Sequence, residues 1–136
     1  MLAGVLPFAL ALGYALLGLF QLRAGAIAFA LYAALILSFL GGMRWGRAVV
    51  TAETAARLIE SVVPTLLAFT AVMLVSVNLQ LALATSALGF AIWLLRDARD
   101  TRWPQWLRRW RVIISLIVLL LHVGMLVLLR TRLPGY

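Results

Sequence analysis

The sequence has no cysteine, no lysine, one histidine and only four acidic residues in its 136 positions. Without cysteine there is no disulfide framework, no thiolate nucleophile and no cysteine-based zinc or iron–sulfur site. The single histidine, His122, rules out a haem held by two histidines of one chain. Charged residues make up 12% and hydrophobic residues 65%. Soluble domains carry about a quarter charged residues and about half apolar ones, so an ordinary soluble domain is excluded. There is also no Ser/His/Asp set, no metal-ligand spacing and no phosphate-binding glycine loop. The chain therefore reads as a non-enzyme with no cofactor.

What is present is arginine between long apolar runs. All twelve basic residues are Arg, and the net charge is +8. Placed between hydrophobic segments, they are better explained by topology and by anionic lipid head groups than by a nucleic acid. The expected partners are therefore an anionic bilayer and other membrane subunits or further copies of the chain, with no nucleic acid.

Five runs satisfy the length rule for spanning helices, roughly 17 to 25 mostly apolar residues. They lie at about 2–21, 25–43, 60–77, 79–95 and 112–129. The predicted fold is all-α: an integral membrane bundle of five transmembrane helices with a short interfacial helix before the last span, one domain over residues 1–136. The first run lacks the basic flank of a secretory signal and reads as a retained helix. Thr51 is expected to cap a helix carrying an i,i+4 pair, Glu53 with Arg57. Between the third and fourth runs Asn78 is the only turn signal.

In the second run small residues recur every fourth position: Ala26, Ala30, Ala34, Ser38, Gly42 and Gly46. Such a ridge lets helix backbones approach closely in lipid. Ala34, Ser38, Gly41, Gly42 and Gly46 are the predicted packing and interaction residues, with Ser38 as an interhelical hydrogen bonder. A helix break at Gly41 and Gly42 forming an ion site is the sharper alternative. The ridge ends at Arg44, Trp45 and Arg47, near Glu60 and Pro64 of the next run. Glu60 is expected to pair with Arg44 and Arg47 across that boundary. Before the last run Trp103, Trp106 and Trp110 are spaced to share one helical face, with Arg108 and Arg109 within reach of phosphates. These residues form the predicted membrane interface.

Nine arginines fall in the connections 44–57 and 96–111, and three fall on the opposite side. The positive-inside rule then gives a cytoplasmic N-terminus and an external C-terminus. The compartment is the bacterial inner membrane, or the mitochondrial inner membrane in a eukaryote. His122 sits at membrane depth, where an ionisable residue is a functional candidate. It is a weak cofactor-binding candidate, as a proton relay, a quinone contact or one haem ligand. The plainer reading is a neutral imidazole bonded to a carbonyl or hydroxyl. None of the four acidic residues is expected mid-membrane, which argues against a carboxylate-driven transporter.

The stretch Tyr32-Ala-Ala-Leu-Ile-Leu-Ser38-Phe39-Leu40-Gly41-Gly42-Met-Arg-Trp45-Gly46 resembles the transmembrane protein 69 family and its bacterial relatives, a domain of unknown function numbered 3429. Gly4-Val-Leu-Pro7-Phe8, Ser61-Val-Val-Pro64-Thr-Leu-Leu-Ala and Pro104-Gln-Trp106-Leu-Arg-Arg-Trp-Arg111 support the resemblance. It implies a five-helix integral membrane protein of the bacterial inner or mitochondrial membrane, and no activity. The family's segment before the first helix is expected to be missing here. Three function classes remain: a non-catalytic accessory or assembly subunit, a small transporter or channel, and a quinone- or haem-handling protein using His122.

Overall fold

The computed structural model describes residues 2–135. A 3-10 turn, Leu2–Val5, leads into α1 (Leu6–Ala15), followed by α2 (Leu19–Val50), α3 (Ala55–Val75), α4 (Leu79–Arg99) and α5 (Gln105–Arg132). No strand occurs among the described residues. Helices α2 to α5 are long and apolar enough to cross a membrane, and α1 is shorter.

The helix bounds differ from the expected runs in three places. The apolar stretch 2–21 breaks after α1, where the Leu16 and Leu17 amides close a turn on the Gly13 and Tyr14 carbonyls. Phe20 and Gln21 then belong to α2. Helix α2 has 32 residues rather than the run 25–43. At 1.5 Å per residue it is about 48 Å long, longer than the ~30 Å hydrocarbon core. No separate interfacial helix precedes the last span: residues 105–111 are the opening turns of a continuous α5.

Connections follow from local chemistry. Helix α2 ends in a Schellman closure: the Ala52 amide bonds to the Val49 carbonyl and the Glu53 amide to the Ala48 carbonyl. Ala52 takes the left-handed position at φ 50°, normally filled by glycine. Thr51 caps the end of α2 rather than the start of α3, its hydroxyl donating to the Arg47 carbonyl. Between α3 and α4, Asn78 is the N-cap, its side chain accepting from the Leu81 amide at 2.9 Å.

Helix α2 is central and touches every other α-helix. Its fully buried residues include Leu22, Ala26, Phe29, Ala33 and Leu37. Helix α1 runs back along it, with the Tyr32 hydroxyl donating to the Gly4 carbonyl at 3.0 Å. At two glycines the backbone of a neighbouring helix comes close. A Cβ on Gly25 would lie 2.7 Å from the Ala11 carbonyl oxygen, and one on Gly41 would lie 2.7 Å from the Ser61 carbonyl oxygen. Large apolar side chains such as Leu10, Phe20, Leu35, Phe69 and Leu120 point outward, as lipid-facing surfaces require.

Candidate functional site: an arginine-rich end clasped on Asp97

The end of α2, the start of α3, the end of α4 and the start of α5 meet at one end of the bundle. All four acidic residues and nine of the twelve arginines gather there. Asp97 lies at its centre. The stripe Leu79, Ala82, Leu83, Ser86, Phe90 and Trp93 of α4 faces inward, and at helical spacing the next inward position is Asp97, which is 1% exposed. One of its oxygens pairs with Arg44 of α2. The other accepts from Arg111 of α5 at 3.0 Å and 2.8 Å. Both arginine side chains are at most 9% exposed. A single carboxylate thus joins three helices, and removing it would leave two buried cations without compensation.

A second layer surrounds this clasp. Two guanidinium groups lie over the Trp103 ring, Arg47 at 4.5 Å and Arg111 at 5.0 Å from its centroid, within cation–π range. Arg102 grips Asp100 with two 2.8 Å hydrogen bonds and reaches Glu53 at 2.7 Å. Burial works to raise the Asp100 carboxyl. The hydrogen bonds and charge of Arg102, with the charge of Arg44, outweigh it and bring Asp100 down to about 2. The Asp100 hydrogen bond raises Arg102 in turn.

The pairing differs from the expected one. Glu60 pairs with Arg96 of α4 and with Arg57, not with Arg44 and Arg47. Arg44 is taken by the deeper Asp97, and Arg47 by Glu53 and Trp103. Glu53 does not pair with Arg57 within a helix, because it lies in the turn before α3.

The small-residue ridge divides. Ala34 and Gly41 are buried, Ser38 is half-buried, and Gly42 and Gly46 are exposed. The reason is geometric: each residue turns about 100°, so a strict four-residue ridge drifts about 40° per step and is about 160° around the helix between Ala26 and Gly42. Gly41, against Ser61 and Pro64, is the glycine packed within the chain, while a Cβ on Gly42 or Gly46 would meet nothing within 4 Å. Ser38 lines a groove with Thr65 and Phe69 and makes no interhelical hydrogen bond among the described residues.

The three indoles do not share a face. Trp103 precedes Pro104 outside the helix and folds inward, whereas Trp106 and Trp110 point outward, 63% and 41% exposed. Trp45 also faces outward. Arg108 and Arg109 flank an apolar patch of Val112 and Ile113. His122 is fully buried among Phe8, Phe29 and Phe90. Its Nδ1 donates to the Val118 carbonyl at 2.8 Å, and its Nε2 lies 3.1 Å from the Ser86 hydroxyl, which also reaches the Leu83 carbonyl at 3.0 Å.

Two hollows open at the charged end. An inner chamber of about 20 Å³ is lined by Arg44, Arg47, Glu53, Arg102 and Trp103, among others, enough for one water-sized group. The Arg44 Nε and Trp103 Nε1 donors are buried without hydrogen-bond partners among the described residues. Beside it, an open cleft of about 680 Å³ lies along α3 and α4.

Among known proteins, residues 1–127 match the family described as Protein of unknown function (DUF3429). No curated protein and no solved structure matches the chain.

Proposed function

The chain belongs to the DUF3429 family, and from that premise we propose a non-catalytic membrane protein that acts through contacts, as an accessory or assembly subunit of a larger inner-membrane complex. In this reading the arginine-rich end lies in the cytoplasm and the C-terminus outside, because that end carries nine arginines against three. The observation that supports it is the outward face of α2. Gly42 and Gly46, four residues apart, are exposed beside Trp45 and have nothing within 4 Å of a Cβ position. A partner helix, from another subunit or a second copy, can approach the backbone closely there. Asp97 and His122, by contrast, are engaged within the chain: Asp97 by two arginines, and both His122 nitrogens by Val118 and Ser86.

A photo-crosslinking residue placed at position 42 in intact membranes tests this. The expected result is one discrete protein adduct that is absent when the residue is placed at Leu120, on the outward face of α5. Adducts to lipid alone from both positions would defeat the proposal.

A further inference from the structure

We propose that the cleft between α3 and α4 at the charged end is a binding site for an anionic phospholipid, with the phosphate among the arginines and an acyl chain along α4. The inference rests on the reading of this end as a membrane–water boundary. The cleft is about 680 Å³ and open. Its walls carry Arg44, Arg57, Arg96, Arg99 and Arg102 against Glu60 and Asp100, a net charge of +3 (five minus two). Asp100 is already gripped by Arg102, and Glu60 is shared by Arg57 and Arg96. Arg99 has no acidic partner among the described residues. Cationic capacity is therefore left over, and guanidinium forks match phosphate oxygens better than ammonium groups do.

The cleft is also lined by Ile92 and Leu95. From Arg99 to Ile92 is about 10 Å along α4 at 1.5 Å per residue, running from the charged end toward the apolar middle. A site that is cationic at one end and apolar at the other fits an amphiphile with an anionic head. Basic pockets between helices at the cytoplasmic boundary hold such head groups. A free phosphate would use the arginines and leave the apolar wall unoccupied.

The test uses the full chain in mild detergent, titrated with phosphatidylglycerol, phosphatidylcholine or inorganic phosphate, with bound lipid counted by native mass spectrometry. Phosphatidylglycerol is expected to bind in preference to phosphatidylcholine, and millimolar phosphate is expected not to displace it. The variant Arg96→Gln/Arg99→Gln should weaken phosphatidylglycerol binding by about tenfold or more, as expected for lost charged hydrogen bonds. Arg130→Gln/Arg132→Gln removes the same charge from the last turn of α5, outside the cleft, and should change it less than about twofold. A thermal-unfolding check confirms that both variants are folded. Equal weakening by the two variants would mean attraction by overall charge and overturn the site, and full displacement by phosphate would overturn the lipid assignment. Either failure leaves the crosslink from position 42 unaffected, because Gly42 does not line the cleft.

Discussion

Adjacent glycines in α2 should respond to alanine in opposite directions. A Cβ at Gly41 would stand 2.7 Å from the Ser61 carbonyl oxygen, 3.1 Å from the Thr65 hydroxyl and 3.4 Å from the Pro64 Cβ. The first of these is backbone, so α3 must shift as a unit. Forced overpacking of this kind costs about 1–3 kcal/mol. Alanine recovers up to about 1 kcal/mol over glycine inside a helix, which leaves Gly41→Ala destabilised by about 1 kcal/mol. A Cβ at Gly42 would meet nothing within 4 Å among the described residues beyond its own helix backbone, so only the propensity gain remains and Gly42→Ala should be stabilised by up to about 1 kcal/mol. The two variants carry the same chemical change one residue apart. Equilibrium unfolding in mixed micelles, followed by far-ultraviolet circular dichroism, reads the sign directly. If both shift the midpoint in the same direction, the assigned rotation of α2 is wrong.

Three further outcomes follow from the charged end and its neighbouring turn. Asp97→Asn should cost about 3–5 kcal/mol, because it strands the buried Arg44 and Arg111, whereas Glu60→Gln at the more exposed pair should cost less than about 1 kcal/mol in the same unfolding assay. Asp100, held at about 2 in the folded chain against about 3.9 unfolded, contributes stability that is fully present above pH ~4 and lost as the pH falls through about 2. Stability profiles measured between those values should flatten in Asp100→Asn, and an unchanged slope would count against the Arg102 grip. Ala52→Gly, which relieves the left-handed residue at φ 50°, should raise stability by about 1 kcal/mol in thermal unfolding.

Much of the architecture was legible from composition. Apolar runs separated by arginine marked the helices and the crowded basic end, and Asn78 marked a turn that the structure makes with its side chain. The rotation of α2 was not legible from the ridge, because a four-residue repeat drifts around a helix of 3.6 residues per turn. The inward face of Leu22, Ala26, Phe29, Ala33, Leu37 and Gly41 instead breaks the four-residue repeat with a three-residue step between Ala26 and Phe29. The break after α1 left little signal, since Leu16 and Leu17 are as apolar as the helices on either side. Two features were present in the sequence and missed. Asp97 continues the inward stripe of α4, so its burial could have been inferred once that stripe was extended by one turn. Trp103 precedes a proline, which disfavours helical backbone and separates it from Trp106 and Trp110.

The most direct test of a contact-based role is quantitative co-purification of the tagged chain in mild detergent, with Gly42→Leu compared against wild type and both checked for unaltered thermal unfolding. Wild type is expected to retain a stoichiometric membrane partner or a second copy of itself, and Gly42→Leu to lose it while remaining folded. A wild-type chain that purifies as a single copy with no partner, or a Gly42→Leu chain that keeps the same partner at the same stoichiometry, would contradict it.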